Sequence, residues 1–200
     1  RHTASHVLAQ AVKRLYPDVK LAIGPSIEDG FYYDFDTPVP FTSEDLAKIE
    51  KEMRDLIKSN GRFEQRNVSI DEAKEIFANQ PYKMEWLNEY DAAGEALSIY
   101  TFRDFVDLCR GPHIVDTSVI KAVKLTSIAG AYWRGNEKNK MLTRIYGVTF
   151  PKKSMLDEYI QMMEEAKKRD HRKLGKELEL FAFSQRVGQG LPLWLPRGAA

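Results

Sequence analysis

The chain has 200 residues, 43% hydrophobic and 30% charged, which gives it the length and apolar content to bury a core and excludes disordered and collagen-like classes. Thirty Lys and Arg against 29 Asp and Glu leave a formal charge of +1, so the chain as a whole is neither a basic nucleic-acid arm nor an acidic tail. Its apolar runs are too short for a membrane span or a signal-peptide core, and the single cysteine, Cys109, cannot form an internal disulfide; the expectation is a cytoplasmic protein.

In chain order, Ala4, Leu8, Ala11 and Leu15 recur at helical spacing before Tyr16-Pro17-Asp18, predicting a helix over 2–15. Residues 19–23 and 31–35 read as a strand pair around Gly24-Pro25. Thr42 or Ser43 caps an amphipathic helix with Leu46, Ile49, Met53, Leu56 and Ile57, closed at Asn60-Gly61. A strand at 63–68, a helix from Ile70-Asp71 to Phe77 and a short helical piece after Pro81 follow. Residues 98–102, 106–108, 122–128, 131–134 and 143–150 are β-branched or aromatic and predict strands. Helices first and antiparallel strands second define an α+β class. Pro151 marks a boundary, 154 to about 181 reads as one long charged helix, and from Ala182 the chain reads as loop, with Gly188, Gly190, Pro192, Pro196 and Gly198.

Only four histidines occur, and three of them fall into pairs: His2-x-x-x-His6, and His113 with Cys109 in Cys109-Arg110-Gly111-Pro112-His113. At helical pitch His2 and His6 project together, roughly 160° from the Ala4/Leu8/Ala11/Leu15 stripe, so they point away from that helix's main core face. Residues 105–108 read as a strand that enters a turn able to hold Cys109 near His113, with Asp107 and Cys109 on one face. A buried cysteine acting as a small hydrophobe is the bland reading. One Cys and three His also make an acceptable tetrahedral zinc set, so spacing leaves metal-dependent and metal-free hydrolysis both open.

These pairs, together with Gly30-Phe31-Tyr32-Tyr33-Asp34 and the run from Ala131-Tyr132-Trp133-Arg134-Gly135 to Met141-Leu142-x-Arg144-Ile145-Tyr146-Gly147, closely resemble the editing domain of bacterial-type threonyl-tRNA synthetases, in order along the chain. Residues 170–175 and Leu195-Pro196-Arg197-Gly198-Ala199 resemble that family's linker helix and the first residues of its class II aminoacylation domain. The resemblance implies an editing domain at 1–151, a linker helix at 152–181 and a truncated catalytic-domain start at 182–200.

It also implies hydrolysis of the ester in seryl-tRNA(Thr), with tRNA(Thr) as partner, water as co-substrate and a homodimeric full-length parent. Such a second site has a physical rationale: serine differs from threonine by one methyl, worth only about 1–3 kcal/mol, so a synthetic site admits it and a hydrolytic sieve is needed. The residues carried over to the editing cleft are His2, His6, Lys83, Asp107, Cys109 and His113. His113 is the leading candidate for handling water, Lys83 for stabilising developing negative charge, and Cys109 for shaping the pocket. Tyr32 and Asp34, which share a strand face, are candidates for lining the substrate pocket.

No cofactor is expected for editing. Zinc at the His/Cys cleft is possible but not favoured, and ATP and a further zinc would belong to the missing catalytic domain. Residues 133–176 carry 12 Lys or Arg against 6 Asp or Glu, a local excess that suits RNA phosphates. The competing readings are a zinc-dependent editing hydrolase of the alanyl type and a non-enzymatic tRNA-binding module.

Overall fold

The apolar spacing of the first segment closes into α1 (His2–Leu15), but burial extends well beyond one stripe: every residue from Thr3 to Val12 is buried. A helix enclosed on all sides must satisfy its polar groups internally. Ser5 Oγ donates to Gly24 O at 2.5 Å, and Gln10 Nε2 donates to Phe102 O at 3.2 Å and to Asp104 Oδ1 at 2.9 Å. Thus His2 and His6, opposite the main stripe, turn toward other elements of the fold. The computed structural model describes residues 1–94, 96–183 and 191–199, which divide into a unit of residues 1–153 and a second beginning at Ser154.

The first unit is built on an antiparallel sheet of β1 (Lys20–Leu21), β2 (Ser26–Ile27), β3 (Gly30–Asp36), β7 (Ala122–Tyr132) and β8 (Met141–Phe150), in which β1, β3, β8 and β7 are successive neighbours and β2 also pairs with β3. Phe31, Tyr33 and Phe35 alternate onto one face of β3 and are buried with α1 and α2 (Ser43–Lys58) in the main core. Burying three aromatics in one strand fixes its register, because a slip by one residue would expose all of them. Of the two expected cap residues it is Thr42 that caps α2, in a reciprocal capping box with Asp45.

A second antiparallel sheet, β4 (Phe63–Val68), β5 (Leu97–Phe102) and β6 (Phe105–Leu108), carries α3 (Ile70–Ile76) and α4 (Pro81–Ala93) over a smaller core of Ala73, Phe77, Leu87, Leu97 and Ile99. The α+β class read from the sequence is therefore the observed one.

Four parts of the chain differ from the sequence reading. The piece after Pro81 is a helix of 13 residues, ended by Gly94 in the left-handed region at φ 65°. Its apolar residues are scattered around the circumference, which hides its periodicity, yet nothing before Gly94 breaks it. The strands expected at 122–128 and 131–134 are one strand, β7, with an irregularity between Leu125 and Ser127; Gly130 stays in register with Thr143, and Trp133–Gly135 forms a turn. Glu50 of α2 takes up the bulge, accepting Leu125 N at 2.9 Å.

The single long helix expected at 154–181 is two: α5 (Lys153–Lys168) and α6 (His171–Glu177). The first turn of α6 closes from Leu174 N onto Asp170 O, so Asp170 sits at a helix start, where aspartate is favoured over a helix interior. Nor is the tail simply loop. An antiparallel pair of β9 (Phe181–Phe183) and β10 (Pro192–Trp194) is followed by the short α7 (Pro196–Ala199). Gly188 and Gly190 lie outside the described residues.

Candidate functional site

The end of β6, the first turns of α1, the middle of β3 and the start of α4 meet at one place, and all six carried-over residues are in direct contact there through Asp107 or Cys109. Asp107 is buried at the end of β6. Its Oδ1 lies 2.7 Å from Lys83 Nζ and its Oδ2 lies 2.8 Å from His6 Nδ1. The backbone N–H of Leu108 donates to Oδ1 at 2.9 Å, and the Tyr33 hydroxyl donates to Oδ2 at 2.9 Å.

Charge explains the consequences. Burial disfavours a charged imidazole, yet the adjacent Asp107 carboxylate outweighs it and raises His6 to about 9. Asp107 is held well below the usual carboxylate range by Lys83 and His6 against the cost of its burial. Tyr33 is pushed far above the ordinary phenol value by burial beside that carboxylate, so it stays a hydroxyl.

Cys109 is the second hub. His113 Nε2 lies 3.2 Å from its sulfur, His2 Nε2 lies 3.3 Å away, and the Gly111 N–H donates to it at 3.2 Å. His6 Nε2 is 3.3 Å from His2 Nε2, joining the two hubs. Burial opposes ionisation of the thiol, but hydrogen bonds from His113, His2 and His6 and the His6 charge prevail and lower Cys109 to about 4. The turn depends on Gly111: its φ is +71°, and a Cβ there would stand 2.1 Å from the Tyr100 hydroxyl.

His113 is stacked on Phe63 at 5.2 Å and met edge-on by Tyr100 at 4.3 Å; burial lowers its pKa. Its protonation pattern follows from its neighbours. Thr3 Oγ1 accepts from Ile114 N at 3.1 Å, which leaves the hydroxyl proton to be donated to His113 Nδ1 at 3.2 Å. His113 then carries its proton on Nε2, facing the Cys109 sulfur. Both ring nitrogens are thereby engaged.

His2, His6, Lys83, Asp107, Cys109 and His113 are thus brought together, whereas Tyr32 and Asp34 are not. Asp34 accepts from Arg144 Nε and Nη2 at 2.7 and 2.8 Å, and Arg144 lies 3.8 Å over the Tyr32 ring, on the opposite face of β3. The residue of that strand at the cluster is Tyr33, which also accepts from Lys83 Nζ at 3.2 Å. Thr3 is a second group that sequence reasoning passed over. Alternation in the Phe31–Phe35 run could have found Tyr33; nothing in the local sequence marks Thr3.

The donor atoms of His2, His6, Cys109 and His113 all lie within 4.8 Å of one another. Three imidazoles and a thiolate suit a tetrahedral zinc ion, so the residues fit the metal chemically.

Residues 97–146 match the family model described as "Threonyl and Alanyl tRNA synthetase second additional domain", which covers β5 through most of β8 and includes Asp107, Cys109 and His113. The threonine–tRNA ligase of Clostridium perfringens is 57% identical over 198 residues, covering 99% of this chain and 31% of that protein. The threonine–tRNA ligases of Clostridium botulinum and Dehalococcoides mccartyi are each 58% identical over 199 residues, covering all of this chain and 31% and 34% of theirs. The chain therefore spans about a third of the length of the curated relatives it matches. The resemblance to bacterial threonyl-tRNA synthetases drawn from the paired motifs holds along the whole chain. Among the described residues no helix is long and apolar enough to cross a membrane.

Proposed function

We propose that this chain is an editing module that hydrolyses the ester of seryl-tRNA(Thr) to serine and tRNA(Thr). The observation that carries the proposal is the fusion of a thiolate–imidazole cluster with a buried Lys83–Asp107–His6 charge network in one site. The reaction needs a positioned water, a group to take its proton and positive charge for the developing oxyanion.

With both nitrogens of His113 engaged, the role expected for it shifts to holding the Cys109 thiolate. His2 Nδ1 has no hydrogen bond among the described residues and is the open imidazole nitrogen of the cluster. Water attacks the ester carbonyl and gives a proton to His2 Nδ1, the carbon–oxygen bond to the ribose breaks, and the ribose oxygen takes that proton. Lys83 and protonated His6 supply the compensating charge. Asp107 and Tyr33 keep both in place.

The resemblance favours chemistry without a metal. The four clustered donors favour a second reading, in which His2, His6, Cys109 and His113 would hold zinc and the ion would supply Lewis-acid activation of water. Exhaustive chelation separates the two: hydrolysis unaffected by it supports the first, and loss restored by zinc supports the second. The functional test is seryl-tRNA(Thr) deacylation by the chain and its Lys83→Ala and His2→Ala variants. Each variant should lose at least 100-fold in rate, the order expected for removal of one charge-stabilising or proton-transfer group. Release of serine at the uncatalysed rate by the wild-type chain would refute the function, and binding of tRNA without turnover would leave a tRNA-binding module.

A further inference from the structure

Lys83 reaches two sheets at once. Its Nζ lies 2.7 Å from Asp107 Oδ1 on β6 and 3.2 Å from the Tyr33 hydroxyl on β3, and the side chain is buried. A lysine stem is flexible, so the place of its ammonium depends on where α4 holds the backbone. The helix spans the same gap. Leu87 packs with Leu97 and Ile99 of the second sheet, whereas Tyr82 packs with Ala22, Trp133 and Leu142 on the side of the first. Two buried faces explain why the apolar residues of α4 are scattered around its circumference.

The hold on the first sheet comes from β3 and from the turn between β7 and β8. The Tyr82 hydroxyl donates to Asp36 Oδ2 at 2.9 Å, and its ring meets Trp133 edge-on at 4.9 Å. Trp133 Nε1 donates to Glu85 Oε2 at 2.8 Å, and Arg134 Nε lies 3.2 Å from Oε1 of the same carboxylate. Arg134 Nη1 donates to Glu89 Oε1, one turn further along α4, and the guanidinium lies 4.6 Å over the Trp86 ring. One planar fork thus engages Glu85, Trp86 and Glu89 together, which the compact ammonium of a lysine cannot do.

The backbone at this turn is unusual. Arg134 stands in the left-handed region at φ 56°, followed by Gly135 at φ 68°. A residue with a Cβ is disfavoured there, and the contacts of the guanidinium with α4 offset the strain. The turn itself is tied down, because Trp133 N donates to Lys140 O and Asn139 Nδ2 donates to Trp133 O, each at 3.0 Å. Arg134, Glu85 and Glu89 are partly exposed, so their ion pairs add little to stability. Their effect is on the placement of α4.

We infer that Arg134 is a positioning residue, which locks α4 to the β7–β8 turn so that Lys83 meets Asp107 and Tyr33 together. This rests on the reading of the cluster as the editing site. Arg134 touches none of the reacting groups and acts through Lys83.

The test is Arg134→Lys, which keeps the charge and removes the fork, measured alone and combined with Lys83→Ala. In single-turnover hydrolysis of seryl-tRNA(Thr), Arg134→Lys should lower the rate at saturating chain by at least about fivefold, with the half-saturating concentration within about twofold of wild type. In the Lys83→Ala background the same change should alter the rate by less than about twofold, because the group it positions is gone. An independent readout is the rate of Lys83 acetylation by acetic anhydride, located by mass spectrometry and compared with exposed Lys51 in the same sample. Arg134→Lys should raise that ratio severalfold. An equal loss of rate in both backgrounds, an unchanged rate at saturation, or an unchanged acetylation ratio would overturn the positioning role. If the wild-type chain leaves the ester intact, a raised acetylation ratio keeps the link from Arg134 to Lys83 and sinks the editing function, and hydrolysis with an unchanged ratio does the reverse.

Discussion

His6 Nδ1 lies 2.8 Å from Asp107 Oδ2, and both side chains are at most 4% exposed. Two opposite charges so deeply buried are stable only as partners, and Asp107 serves Lys83 at the same time. Asp107→Asn leaves two buried cations around a neutral amide. The expected cost is about 3–5 kcal/mol, read as a lowered urea midpoint at unchanged slope. Breaking the exposed Lys48–Glu44 pair with Glu44→Gln should leave the midpoint in place. A midpoint for Asp107→Asn equal to that of the wild type would show that the network is not formed.

The same pair sets a pH dependence. His6 is raised from 6.5 to about 9, so its contribution is complete below 6.5 and is lost as pH rises through about 9. Cys109 is lowered from 9.0 to about 4, so its contribution is complete above 9 and is lost as pH falls through about 4. Between pH 6.5 and 9 the two trends oppose each other. Cys109→Ala removes one of them, so the variant's stability should decline over that interval while the wild type's stays nearly level. Parallel curves for the two proteins in chemical denaturation would contradict this assignment.

Thiolate character can be read directly. The rate of Cys109 alkylation by iodoacetamide should level off above a midpoint near 4, well below the 9.0 of an ordinary thiol. His113→Ala removes the hydrogen bond from His113 Nε2 to the sulfur and should move that midpoint upward. A wild-type midpoint near 9 would place a neutral thiol in the cluster.

How much of this was legible in the sequence depends on the range of the interactions. The i, i+4 spacing of His2 and His6 and the tight turn from Cys109 to His113 are local, so each pair could be read before the fold was known. Their convergence with Lys83 and Asp107 came from family resemblance, because it joins α1, α4 and β6. The structure reverses the face of β3 expected at the cluster: Tyr33 is there, and Tyr32 and Asp34 are not. Alternation groups Tyr32 with Asp34 and Tyr33 with Phe35, but only packing against α1 and α2 decides which group turns inward. The break between α5 and α6 was hidden by a charge pattern that continues smoothly across Asp170.

That reversal supplies its own comparison. Tyr33→Phe deletes a hydroxyl that donates to Asp107 and accepts from Lys83, and should slow ester hydrolysis at least severalfold, with some loss of stability. Tyr32→Phe, on the far side of the strand, should leave the hydrolysis rate within twofold of wild type. Equal effects in single-turnover assays would mean that the hydroxyl network does not support the reaction.

The central claim is a serine-selective hydrolytic site, and selectivity must come from geometry at the cluster because seryl- and threonyl-tRNA(Thr) present the same phosphates and the same terminal base. A closely packed pocket can reject the extra methyl by more than the modest energy of burying it, since admitting it forces strain into the surrounding side chains. The decisive measurement is single-turnover hydrolysis of the two charged tRNAs by this chain at one salt concentration, with binding measured alongside. The account predicts similar affinities and hydrolysis of the seryl ester at least 100-fold faster than of the threonyl ester. Equal hydrolysis rates for the two esters would contradict it.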